Sequence, residues 1–205
     1  MINDVLENFE NKKEEINIFI SFLFKTEEDV AYSQLLLLPI LKASGFVMLY
    51  NVIESTVYLL FESLFDLVNE NQVPFSRLTV SLQNQYKKYG QKCSNVIDDD
   101  LTRMDFRNYS KRINVFSGNL DARSIRLLLE AWGIWRDFHV DGEEKLLIIK
   151  NHRNILAHGE KSFREIGRNY TVLEIEKFSE CVFQYLSALI KCFSEYIGHE
   201  QYIKQ

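Results

Sequence analysis

Apolar residues recur along this chain at helical spacings and almost nowhere with the strict alternation of a strand. Val5, Leu6, Phe9, Ile16, Phe19, Ile20 and Leu23 follow one another on one face, which predicts an amphipathic helix over roughly residues 2–25. Thr26, followed by Glu27, Glu28 and Asp29, reads as an N-cap with first-turn acids, so a second helix is expected to start there. Pro39 suits a first turn or a kink. From about Ile40 to Asn69 the only breaker is Gly45, and a helix of about thirty residues is a rod roughly 45 Å long. This is the expected central helix.

Val73-Pro74 interrupts the pattern, Ser76 to Tyr89 reads as helix again, and Gly90 is its stop signal. Over residues 91–119 periodicity fades. An acidic run, Asp98 to Asp100, precedes a basic one containing Arg103, Arg107, Lys111 and Arg112, with Phe106 and Tyr109 among the bases. The stretch reads as an inserted loop or short-helix segment that is polar and solvated; contact with RNA or a protein partner is the alternative. Asp121 is an N-cap for a short helix, Ala122 to Trp132, that Gly133 ends. Asp141-Gly142-Glu143-Glu144 has capping-box spacing and opens a helix to about Ala157, closed by His158-Gly159. Thr171 and Glu174 form a second such box. It opens a last long helix to about Ile197, with Phe178, Val182, Tyr185, Leu189 and Phe193 along one face. The expected fold is all-α, an antiparallel helical bundle with a long central helix, in a single domain over 1–205. Residues 1–30 would be an N-terminal helical extension.

Composition agrees. A chain of 205 residues with 46% hydrophobic and 26% charged residues can build its own core without disulfide or metal staples. Eight Gly and two Pro leave little turn material for a sandwich or barrel. Cys93, Cys181 and Cys192 form no CxxC pair and read as reduced thiols of a cytoplasmic protein. The first residues are acidic and amphipathic, unlike a signal peptide. The apolar stretch from Leu35 to Val68 carries Lys42, Glu54, Glu62 and Asp66, so every 20-residue window holds a charge. It reads as a buried helix and not as a membrane span. Net charge is -5, which excludes a surface generally basic enough to coat nucleic acid but leaves room for a local basic site.

No phosphate-cradling glycine loop, zinc-spaced Cys/His set, HExxH or GxSxG occurs, and neither a metal site nor a cofactor is expected. The histidines are His139, His152, His158 and His199. On a wheel starting at Glu143, His152 falls among Ile148, Ile149, Ile155 and Leu156, as a core histidine would. Lys150, Arg153, Asn154 and His158 fall on the other side. Arg153 and His158 are about 140° apart with Asn154 between them, and His158 ends the helix where the macrodipole favours its protonated form. A fixed cation, an amide and a titratable imidazole suit RNA cleavage by its own 2′-hydroxyl. Histidine can move the protons, and arginine's planar fork can hold the phosphate as charge builds. From Lys145 to Arg168 the bases outnumber the acids by four, so Lys150, Lys161, Arg164 and Arg168 are the expected RNA-phosphate contacts.

Arg153-Asn154-Ile155-Leu156-Ala157-His158-Gly159, continued by Glu160-Lys161-Ser162-Phe163 and Gly167-Arg168-Asn169-Tyr170-Thr171, resembles the signature of HEPN domains. The segment Ser117-Gly118-Asn119-Leu120-Asp121-Ala122-Arg123 resembles one found in a branch of prokaryotic HEPN proteins. The resemblance covers about Leu35 to Ile197. It implies a HEPN-type bundle and a metal-independent endoribonuclease, the toxin of a toxin–antitoxin or phage-defence system. Such a protein acts as a homodimer, or as a heterodimer with a related chain, in which Arg and His of both subunits meet in one cleft, and an antitoxin protein is an implied partner. By that analogy His158 is the acid/base, Arg153 holds the scissile phosphate and Asn154 orients the phosphate or His158. Glu54 supports Arg153, or is an interhelical ion pair without catalytic part. In some HEPN toxins a tyrosine two positions after the histidine is modified by a nucleotidyltransferase. Here Glu160 stands there, and Tyr170 lies too far along to replace it. A non-catalytic HEPN dimerisation or partner-binding module is the alternative, and a helical adaptor with a fortuitous motif the third reading.

Overall fold

The long apolar run folds as one helix, α2 (Tyr32–Glu70), and the other elements are arranged around it. The computed structural model describes residues 2–28, 32–90, 119–135 and 138–204. The expected insertion over 91–119 lies outside them except for Asn119. In chain order the remaining elements are α1 (Ile2–Glu28), a 3-10 turn (Phe75–Arg77), α3 (Val80–Gly90), α4 (Ala122–Trp132), α5 (Lys145–Ala157), α6 (Phe163–Gly167) and α7 (Val172–Gly198). Among the described residues there is no strand, only an isolated antiparallel bridge between Leu78 and Ile203. The all-α expectation holds.

Helices α1, α5, α6 and α7 all pack on α2, α1 and α5 also touch α7, and α3 pairs with α4. The core is aromatic. Phe61 sits between Trp132 and Phe193 at 4.9 and 5.1 Å, Phe65 stacks on Tyr86, and Phe9 of α1 meets Phe183 of α7 at 6.3 Å. Each such ring contributes about 1.5–3 kcal/mol by leaving water. By length and composition α2 could cross a membrane. Here it is the axis of the bundle. Its Lys42 is buried and donates to the Tyr170 carbonyl.

Three boundaries differ from expectation. Thr26 starts no helix: α1 continues to Glu28, and the buried Thr26 hydroxyl donates back to the Phe22 carbonyl at 2.8 Å. The segment after Pro74 is not one helix. It makes a 3-10 turn, then runs extended through Leu78 (ψ 150°) before α3 begins at Val80. The extended piece pairs with the chain's last described residues, through Thr79 N–H to Tyr202 and Lys204 N–H to Arg77. Asp141 caps nothing: its side chain is fully exposed beside His139, and α5 starts at Lys145 with no side-chain cap. Gly142, at φ 78°, turns the chain there instead, in a conformation that favours glycine.

Other boundaries fall as expected. Asp121 caps α4 in a reciprocal box with Ser124, and Gly133 ends it at φ 75°. Thr171 and Glu174 cap α7 reciprocally, and Gly159 follows α5 at φ 69°. A further capping box, Ser162 with Glu165, has the same three-residue spacing and starts α6. Gly167 at the end of α6 lies so close to α2 that a Cβ there would stand 1.7 Å from the Pro39 carbonyl oxygen. That contact fixes α6 against α2.

Candidate functional site

Helix α5 carries the motif because its buried residues, Leu146, Ile149 and Leu156, hold one side against the bundle and turn the polar side outward. Arg153 lies between the two, with 27% of its side chain exposed. Tyr50, Glu54 and Asn154 help to fix it. Its guanidinium carbon sits 4.3 Å from the centre of the Tyr50 ring, a cation–π distance. One terminal nitrogen is 3.7 Å from Glu54 Oε2, and the other donates to Asn154 Oδ1 at 2.9 Å. Glu54 and Tyr50 are four apart on α2 and so share a face. The expected approach of Glu54 to Arg153 is present as geometry.

Asn154 donates in turn from Nδ2 to Asn119 Oδ1 at 2.6 Å. Leu120 N–H donates to Tyr50 Oη at 3.2 Å. Burial is the largest influence on the Tyr50 phenol and pushes it up; Glu54 adds to this, while the Leu120 bond and Arg153 oppose it. Lys150, one turn before Arg153, donates to Asp121 Oδ2 at 2.6 Å. Both partners are largely buried. Burial pushes the Asp121 carboxyl up, but the Lys150 and Ser124 bonds together outweigh it and hold the group below its usual range. Residues 119–121 thus form a strap across α2 and α5 beside Arg153.

His158 is the C-cap of α5. Its backbone N–H bonds to the Asn154 and Leu156 carbonyls, and its side chain is exposed. No hydrogen bond or ion pair of its ring joins it to the Arg153 cluster among the described residues. Lys161, Arg164 and Arg168 are exposed on and beside α6. The motif residues are therefore split: Arg153, Asn154 and Glu54 are brought together, Lys150 is committed to Asp121, and His158 and the three α6 cations face solvent.

His152 is half-buried, as its place on the wheel implies. Its Nε2 shares a 2.6 Å hydrogen bond with Tyr170 Oη, and its ring packs 4.7 Å from Phe46. Burial, with Lys161 adding to it, lowers its pKa. Among the described residues its buried Nδ1 has no hydrogen-bond partner. Among the described residues no cluster of His, Cys, Asp and Glu could hold a metal ion. Sequence reasoning passed over Tyr50 and Asn119. The four-residue spacing of Tyr50 from Glu54 was the available signal for the first. For Asn119 it was its place in the 117–123 segment that resembles a HEPN branch, to which no role was given.

The model of the HEPN_MAE_28990-like HEPN family matches residues 1–202, reaching beyond the motif-bearing helices to include α1. No curated protein and no solved structure matches the chain. With its helices, its Arg153–His158 motif and nearly its whole length inside that family model, the chain belongs to the HEPN_MAE_28990-like HEPN family.

Proposed function

We propose that this protein is a metal-independent endoribonuclease acting in the cytoplasm, the toxin of a toxin–antitoxin or phage-defence system. In this reading two copies, or one copy and a related HEPN chain, bring their α5 ends together, so that Arg153 and His158 from both line one cleft. RNA is cut by its own 2′-hydroxyl attacking the adjacent phosphorus. His158 takes the 2′-proton or supplies one to the departing 5′-oxygen, the pair of steps for which a near-neutral imidazole is suited. Arg153 holds the non-bridging oxygens as charge gathers on them. Lys161, Arg164 and Arg168 lie along the incoming strand and bind its phosphates. An antitoxin protein restrains the activity.

The observation that carries the reading is the fixing of Arg153. A planar cation clamped by Tyr50, Glu54 and Asn154, five residues before an exposed helix-terminal histidine, is preorganised for a phosphate. The test is cleavage of total RNA by purified protein in excess chelator, wild type beside His158→Ala. Wild type is expected to cut and the variant to lose at least a hundredfold. Equal cleavage by both, or none by wild type, refutes the nuclease reading and leaves a non-catalytic module.

A further inference from the structure

We infer that Asn119 is a positioning residue for Arg153, acting through Asn154. The inference takes its catalytic meaning from the nuclease reading above, but its geometry stands apart from it. A guanidinium has only donors, so the Asn154 carboxamide must turn its oxygen to Arg153, as the 2.9 Å bond shows. The Asn154 NH2 group then points the other way and needs an acceptor. Asn119 Oδ1 supplies it at 2.6 Å. The polarity of the relay, from Arg153 to Asn154 to Asn119, is fixed at its cationic end and closed at Asn119.

Asn119 is itself held in place. Its carbonyl accepts from the Ser124 hydroxyl at 3.2 Å, the next residue's N–H bonds to Tyr50, and Asp121 is bound to Lys150. Tyr50 is also the ring on which the guanidinium lies. The strap therefore touches two of the groups that orient Arg153, the ring beneath it and the amide beside it. Without the Asn119 acceptor, Asn154 is free to rotate, and with its other face to donate where Arg153 also donates. The fork then loses one of its fixed partners.

The relay is tested on the full chain with Asn119→Ala, which removes the acceptor, and Asn119→Asp, which keeps one. Two readouts are used. In nitrogen-15 spectra, the two terminal nitrogens of the Arg153 guanidinium are expected as separate signals in wild type. They merge in Asn119→Ala as rotation about the Cζ–N bond is released, and stay separate in Asn119→Asp. In RNA cleavage, Asn119→Ala is expected to lower kcat about tenfold with little change in KM, and Asn119→Asp to recover most of it. A merely structural role would instead lower the melting temperature of Asn119→Ala and leave kcat per folded molecule unchanged. Separate Arg153 signals in Asn119→Ala, or a kcat within twofold of an active wild type, overturn the inference. Merged signals in a protein that cuts no RNA uphold the relay and refute the nuclease reading alone.

Discussion

Replacing Lys150 by methionine separates two roles for that residue. The side chain keeps its length but loses its charge, and Asp121, with 12% of its side chain exposed, loses its cation. The carboxylate keeps the Ser124 N–H at 2.8 Å, so it is weakened and not orphaned. Exposed pairs contribute about 0–1 kcal/mol, and breaking a fully buried one costs about 3–5 kcal/mol. At 2.6 Å and mostly buried, this pair falls between, and Lys150→Met is expected to cost about 2 kcal/mol. For a chain of this size that is a fall of roughly 4–8 °C in melting temperature. The pH dependence follows from the Asp121 shift. Its folded pKa is held below 3.8, so its contribution is present above 3.8 and is lost as pH falls through the folded value. The gap between wild type and variant should therefore be full at pH 7 and shrink below pH 3.8. Thermal unfolding followed by circular dichroism reads both. Melting within 1 °C of wild type at neutral pH, or a gap that does not narrow on acidification, would refute the assignment. An undiminished stability with weakened RNA binding would return Lys150 to the phosphate contacts.

Two further outcomes concern the packing around α5 and α6. His152 has a folded pKa below 6.5, so the stability it lends is complete above pH 6.5 and declines as pH falls through the folded value; His152→Phe should flatten melting temperature between pH 7 and 5, and parallel profiles would contradict this. Gly167→Ala puts a methyl against the Pro39 backbone, which cannot swing aside. A loss of about 2 kcal/mol or more is expected in urea unfolding, and a change under about 0.5 kcal/mol would show that α6 is not seated as described.

The helices were readable where their determinants are local. Asp121 and Thr171 cap because each has its reciprocal partner three residues on. Asp141 has the same outward spelling, but Gly142 takes a left-handed turn that carries it away from the helix start. Thr26 failed as a cap because the preceding helix ran on and used its hydroxyl for a back-bond. The site divides in the same way. Arg153, Asn154 and His158 follow from spacing on one helix. Tyr50 reaches Arg153, and Asn119 reaches Asn154, only through the packing of α2 and the strap on α5. Lys150 was assigned to RNA from local charge alone; its partner lies twenty-nine positions away in sequence, beyond any periodicity argument.

The contact of Phe9 with Phe183 also bears on how the chain is made. Helix α1 emerges from the ribosome well before α7, which supplies part of its seat. Until then Phe9, Ile16 and Ile20 have only α2 to lean on, and the apolar side of α2 itself lacks the cover of α7. The core is therefore completed only once α7 has been made. Nascent copies should therefore depend on chaperone shielding up to that moment, and substitutions at the α1–α7 seam should reduce yield more than they reduce the stability of the finished molecule.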